Sequence, residues 1–350
     1  MKAAFYSEHG TVDVLDIGTQ PRPVLKSNQV LVKAEYASLN PCDFKFRRAK
    51  IPLSFVSDFL FPKPKIPAVD VSGLVVSVGS DVTNLSVGDR VAATQPIIHT
   101  RWGTLAEFSA VDASHAAIVP ASISLRDAAA VSLVGLTAVQ ALSNVKTKRG
   151  DRILIHAGSG GLGSFAVQWA SKVLKLNVSA TASSKNQKFL SSLGAHNPID
   201  YGLNSWDKNS PNYDVILDPM SYAYEKRTLS GDSNVISPTG HYLNIASSSW
   251  DLKGGVEEAN GLSTYTNIFT YGVKNFLSRI GLKEKGVSYS FVAVEPCGEQ
   301  LAMIFKEIED DNIRAVVDSE FEFNVEGVRE AYRRLETGRA KGKILVKMTF

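Results

Sequence analysis

The hydrophobic positions along the chain fall into two textures. In the first 120 or so residues, short apolar runs alternate with turn residues. Val30-Leu31-Val32-Lys33-Ala34 reads as one strand, Gly73 to Val78 as a second, and Gly88-Asp89-Arg90-Val91 as a turn entering a third. Beyond that point strands and helices alternate. Ser124 to Leu142 reads as a helix rich in Ala and Leu, Asp151 to His156 as a short buried strand and Gly163 to Leu174 as a helix. Asn177 to Thr181 is a strand, Lys185 to Leu193 a helix, and Tyr213 to Leu217 and Tyr242 to Ile245 are later strands. This alternation predicts a parallel sheet wound by βαβ units, an α/β fold. Helices over Glu299 to Glu309 and Val325 to Leu335 follow, and the strand Lys343 to Lys347 is expected to return to the β-rich first domain.

Composition narrows the class without naming a chemistry. The 350 residues are 44% hydrophobic, with a net charge of +3, too small to make nucleic acid or an anionic membrane the main partner. Two cysteines, Cys42 and Cys297, form neither a disulfide framework nor a four-thiolate zinc site, and a reducing compartment is expected. The first residues carry no signal-peptide core and no Arg-rich presequence, so a cytoplasmic location is expected, with import into an organelle without a cleaved presequence left open. The longest near-apolar stretch, Ala128 to Leu142, is expected to be too short for a bilayer span, although peripheral membrane contact stays open.

Chemistry enters after the strand Arg152 to His156. There Gly158, Gly160 and Gly163 form a G-x-G-x-x-G pattern, with Ser159, Gly161 and Leu162 between them and a helix after them. In that context the glycines permit a tight turn and close approach of a pyrophosphate to helix N–H groups. An NAD site places a carboxylate at the end of the second strand to bind ribose hydroxyls. No Asp or Glu occurs between Asp151 and Asp200, and the second strand ends in Ser183-Ser184-Lys185. Hydroxyls and an ammonium suit a 2′-phosphate, so NADPH is the expected cofactor. The serines also suit an N-cap of the next helix, and Lys185 alone also reads as a surface lysine.

These motifs join others. Ser38-Leu39-Asn40-Pro41-Cys42-Asp43, Ile66 to Gly73, Val87-Gly88-Asp89-Arg90-Val91, Gly103 to Phe108, Gly135-Leu136-Thr137-Ala138, Leu193-Gly194-Ala195 and Gly338 to Lys343 run along the whole chain. Together they resemble the zinc-free medium-chain dehydrogenase/reductases of the quinone oxidoreductase-like group. The resemblance implies a GroES-like catalytic domain (1–122 and 297–350) and a Rossmann domain (123–296), with substrate and nicotinamide in the cleft between them, and usually a homodimer. Zinc-dependent relatives carry Cys where this chain has Asn40 and Gly-His-Glu where it has Ala68-Val69-Asp70, so no metal is expected. Asn-Pro-x-Asp-x-Lys, ending at Lys45, is similar to the alkenal/enone reductases and the chloroplast-envelope quinone oxidoreductase homologues. Those reduce the C=C bond of α,β-unsaturated carbonyls with NADPH.

On that basis the small-molecule reaction is a conjugate hydride addition. Lys45 is the expected donor to the developing enolate oxygen, and Asn40 is expected to order the site or contact the nicotinamide ribose. The resemblance gives Thr137 to the nicotinamide side and Tyr201 to the adenosine side. Each residue has a plain alternative: a surface lysine, a turn residue before Pro41, a core threonine and a half-buried aromatic. Cys42 reads as inert, and His156 and His241 as core histidines. Phe55, Phe59 and Phe61, in the loop 51–65, are either a cleft wall or packing for the β domain. Trp250, Tyr265, Phe269, Tyr271 and Phe276 are open between cleft and interface. Quinone reduction is the alternative activity. A nucleotide-binding protein with incidental reductase activity is another, its cue being the basic cluster Lys45, Arg47, Arg48, Lys50, Lys63 and Lys65.

Overall fold

The computed structural model describes residues 1–48, 58, 63–97, 101–203, 206–207, 211–220, 222–229, 234–245 and 286–350. The phenylalanines of the 51–62 stretch and the aromatic residues of 247–285 lie outside the described residues. Two compact units form, one from Met1–Leu136 with Val294–Phe350 and one from Thr137–Ala293. The first division between them falls within the helix Leu125–Ser143.

The first unit begins with β1 (Lys2–Phe5), β2 (Asp16–Thr19) and β3 (Gln29–Leu39), followed by α1 (Pro41–Arg47). Then come β4 (Asp70–Val78), β5 (Arg90–Thr94), β6 (Phe108–Asp112), β7 (Ala116–Ile118) and α2 (Leu125–Ser143). The second unit holds β8 (Arg152–Ile155), α3 (Gly161–Gln168), β9 (Asn177–Ala182), α4 (Gln187–Leu193) and β10 (Asn197–Asp200). It continues through β11 (Tyr213–Asp218), α5 (Tyr222–Leu229), β12 (Ile236–Asn244) and β13 (Ser288–Phe291). The tail supplies α6 (Gly298–Glu309), β14 (Val317–Glu322), α7 (Val325–Glu336) and β15 (Lys343–Lys347) to the first unit.

In the first unit β3 is shared. Its first half pairs antiparallel with β6 (Gln29 opposite Asp112) and its second half with β15 (Leu39 opposite Ile344), while β4 runs along its other edge. Its inward positions, Val30, Val32, Ala34, Ala37 and Leu39, are buried with Val71, Val75, Val91 and Val346 in the main core. Gly73 has no room for a side chain: a Cβ there would stand 2.0 Å from the Lys33 carbonyl oxygen. In the second unit the described strands form a parallel sheet in the order β10-β9-β8-β11-β12-β13, as the βαβ alternation predicts. Its centre is the fully buried run Ile153-Leu154-Ile155.

Two expectations change here. Helix α2 is 19 residues, long and apolar enough by length and composition to cross a membrane, but 83% of its apolar window is buried in the fold. It is a core helix, and Ala129 and Ala130 pack on Leu345 of β15. The basic cluster is not a free stripe either. Arg47 is fully buried, and Arg47 and Arg48 both pair with Glu336. Lys63 and Lys65 pair with Asp58.

Candidate active site

In the second unit β8 leads directly into the glycine loop. The left-handed backbone of Ala157 (φ 51°) starts the turn. Its N–H donates to Thr181 Oγ1 (3.2 Å), and the Gly158 N–H donates to the Thr181 carbonyl oxygen (2.8 Å). The three glycines do different work. A Cβ at Gly163 would stand 2.2 Å from the Ala157 carbonyl oxygen, and one at Gly158 would stand 2.9 Å from the Ala180 Cβ. Both positions are bare so that helix and strands pack closely. At Gly160 a Cβ would meet only the Ala157 oxygen, at 3.4 Å, so its bareness serves the loop's outer side. The N–H groups of Gly161, Leu162 and Gly163 precede the first helical bond, Ser164 N–H to Gly160 O (2.8 Å). They form a cradle that fits a pyrophosphate.

His156, beside the loop, is a core residue. The ring bonds through Nδ1 to Thr181 Oγ1 (3.3 Å), which also accepts the Ala157 N–H, and this leaves Nε2 as its other polar atom. That Nε2 is buried without a hydrogen-bond partner among the described residues, against the edges of Trp206 and Tyr224 (centroids 4.5 and 4.9 Å away). Burial pulls its pKa down to about 3, so the ring is neutral.

At the end of β9, Ser183 precedes a short 3-10 turn, Ser184–Asn186, with Ser184 and Lys185 exposed. Asn186 Nδ2 donates to Ser159 Oγ (3.0 Å), tying this turn to the glycine loop. Tyr201 follows β10 and is 53% exposed. Asp200, the first acid after Asp151, stands next to the Ser184–Asn186 turn. The parallel pairing of β9 and β10 sets Asp200 opposite Ala182, and its carboxylate accepts the Ser184 hydroxyl. The signal was an acid closing the third strand of a parallel sheet. Thr137 is buried in α2.

In the first unit Asn40 ends β3 and precedes α1. Pro41 at the first helical position suits the helix start. The Asp43 carboxylate reaches back to the Asn40 N–H (2.7 Å), and the Asn40 carbonyl oxygen accepts the Asp43 N–H (3.0 Å). The Asn40 side chain is engaged inside the fold. Its Nδ2 donates to Asp70 Oδ2 (2.8 Å) and its Oδ1 accepts from Lys343 Nζ. Asp70 also accepts from Ser38, Thr94 and the Leu133 N–H. All four of Asn40, Asp43, Asp70 and Lys343 are at most 5% exposed. Sequence reasoning missed Lys343, whose partners lie some three hundred residues away. Desolvation pushes the Asp43 pKa up to about 7, with the Asp70 charge adding to it and the Asn40 N–H and Lys343 opposing. Burial also pushes the Cys42 thiol well up, which leaves it an unreactive thiol. Lys45, on α1, is half-buried and makes no ion pair among the described residues.

The arrangement is that of a nucleotide-binding dehydrogenase. The chain belongs to the medium-chain dehydrogenase/reductase family, in its quinone oxidoreductase-like group. Residues 26–121 match the alcohol dehydrogenase GroES-like domain, and residues 193–346 match the zinc-binding dehydrogenase family. The chain is 31% identical to the 2-methylene-furan-3-one reductase of Solanum lycopersicum and 30% identical to the chloroplastic NADPH-dependent alkenal/one oxidoreductase of Arabidopsis thaliana. In each case the match covers 99% of this chain and 79% of the relative. The structure of the quinone oxidoreductase from Coxiella burnetii superposes with a TM-score of 0.83 at 27% identity, covering 100% of this chain and 99% of the other.

The metal that the second family's name implies does not fit the residues present. Val69 is fully buried and apolar, and the Asn40 and Asp70 oxygens already face the Lys343 ammonium. Among the described residues no three His, Cys, Asp or Glu side chains come together as a metal site.

Proposed function

We propose that this protein is an NADPH-dependent reductase of the C=C bond of α,β-unsaturated aldehydes and ketones, working without a metal. The observation that carries the reading is the side-chain set around Asn40, whose acceptors are answered by a buried ammonium. With no Lewis acid to polarise a carbonyl for direct reduction, conjugate addition is the fitting hydride chemistry. Two relatives named as reductases of enones and alkenals, aligned over nearly the whole chain, support it.

NADPH, when bound, supplies the hydride. The loop amides from Gly161 to Gly163 would hold its pyrophosphate, and Ser183 with Lys185 would answer the 2′-phosphate beside Tyr201. Thr137 would stand on the nicotinamide side. Lys45 Nζ would donate to the substrate's carbonyl oxygen, where negative charge develops in conjugate addition. A proton from water then completes the α-carbon. Asn40 acts through α1, fixing the start of the helix that carries Lys45. Two free cysteines fit a reducing cytoplasmic setting, and β13, the last strand of the sheet among the described residues, suits a homodimer. Light scattering tests the dimer and cell fractionation tests the location.

The deciding assay pairs NADPH and NADH with an enal, an enone and a quinone, with product analysis. A saturated carbonyl formed with NADPH supports the reading. An allylic alcohol overturns it. Turnover of the quinone alone transfers the assignment to quinone reduction.

A further inference from the structure

The end of the nucleotide site that meets the 2′-phosphate is built from two separate pieces of chain. One is the 3-10 turn Ser184–Asn186 after β9, which exposes Lys185. The other is the turn after β10, which exposes Tyr201. Backbone pairing of β9 and β10 ends at Ala182 and Asp200, with one further bond from the Tyr201 N–H to the Ala182 carbonyl oxygen (3.2 Å). Beyond it, among the described residues, one side chain joins the two turns. Asp200, 7% exposed, accepts the Ser184 hydroxyl at Oδ2 and the Gly202 N–H at Oδ1 (2.8 Å). Its carbonyl oxygen takes the Leu203 N–H (3.3 Å), closing the turn around Tyr201.

We infer that Asp200 is the positioning residue of the 2′-phosphate subsite: it clamps the Ser184 turn to the Tyr201 turn without touching the nucleotide. The inference rests on the NADPH reading and refines it. A carboxylate has no hydrogen to give, so the Ser184 hydroxyl must donate to it. Ser184 is therefore a bridge and not a phosphate donor, which leaves Ser183 and Lys185 to meet the anion. The Ser184 hydroxyl and the Gly202 N–H answer the Asp200 carboxylate locally, so that an acid beside a phosphate site is tolerated. The arrangement also separates this chain from NAD sites, where the acid at a strand end is open to the ribose hydroxyls.

The test is equilibrium binding of two probes, adenosine 2′,5′-bisphosphate and AMP, to the full chain by calorimetry. The expected result is that wild type prefers the bisphosphate by about tenfold or more. S184A and D200A each bring the ratio of the two affinities toward one, with AMP binding little changed. The double variant S184A/D200A is no worse than D200A alone, because one link is broken in either case. D200N keeps an oxygen for the Gly202 N–H and gives an amide hydrogen to the Ser184 oxygen, so it keeps the link with its direction reversed; it is expected to retain the preference that D200A loses, which separates the link from the charge. Tighter bisphosphate binding by D200A overturns the inference, since it makes Asp200 a repelling charge. Loss of preference in S184A but not in D200A also overturns it, by making Ser184 a direct donor. A wild type that binds both probes equally removes the NADPH reading and this inference together, an outcome distinct from a high wild-type ratio that D200A leaves intact.

Discussion

Lys343 donates a hydrogen bond to the side-chain oxygen of Asn40, a residue 303 positions earlier in the chain. The contact settles the orientation of the Asn40 amide, since the ammonium can only donate and Asp70 Oδ2 on the other side can only accept. It also sets one buried cation against Asp70, with Asp43 close by.

Replacing Lys343 by Met strips the counter-charge from a fully buried carboxylate. Loss of one partner of a buried pair costs about 3–5 kcal/mol, and K343M is expected to lose that much in urea unfolding of the first unit. A loss below about 1 kcal/mol, within the range of an ordinary surface substitution, means that Asp70 is neutralised in another way.

Asp43 makes the stability of the first unit depend on pH with a defined sign. Its folded pKa, about 7, lies above the unfolded value of 3.8. Between these values the folded state holds a proton that the unfolded state has released. Stability therefore falls as pH rises through the window, by up to about 1.4 kcal/mol per pH unit for one proton. D43N removes this slope. Subtracting its unfolding free energies from those of wild type, between pH 4 and pH 7, gives the expected downward trend; a flat difference rejects it.

The glycines of the loop separate folding from binding. G163A forces a Cβ to within 2.2 Å of a backbone oxygen and is expected to unfold or strongly destabilise the second unit. G160A has room, with its nearest neighbour at 3.4 Å, and a negative φ of −77°. It is expected to change stability by less than about 1 kcal/mol, while NADPH binding weakens about tenfold or more. Thermal melts with and without nucleotide distinguish the two.

Lys45 is tested by kinetics. If its ammonium meets the enolate oxygen, K45M lowers kcat on an enone by about 100-fold or more, the usual effect of removing one such donor. The Kd for NADPH and the melting temperature stay at wild-type values. A K45M enzyme with normal kcat assigns the donor to another group.

Much of this was legible beforehand, for identifiable reasons. The alternation of apolar strands with helices marks β8 through β12, because a strand buried on both faces has to be apolar throughout. Boundaries moved where turn chemistry decides them: the helix expected over Gly163 to Leu174 is α-helical only through Gln168, then widens into a π turn at Trp169–Val173. The glycine spacing marks the cradle because close packing excludes a side chain at Gly158 and Gly163. The basic cluster shows why charge sequence says nothing of partners: Glu336 pairs with Arg47 and Arg48, and Asp58 with Lys63 and Lys65, while Lys50 lies outside the described residues. Asp200 and Lys343 were hidden for the same reason. Each acts on a neighbour brought by strand pairing, which no local window contains.

The pairing of β15 with β3 sets a timetable for making the protein. Residues 36–39 gain the partners on their second edge only when residues 344–347 have been synthesised, after the whole of the second unit. At about 5–20 residues per second on the ribosome, those roughly 300 residues take some 15–60 s. Through that interval the buried second half of β3 has an unfilled edge, while the second unit already has all its strands. The first unit is thus closed last: the second half of β3 keeps one open edge until the tail brings β15.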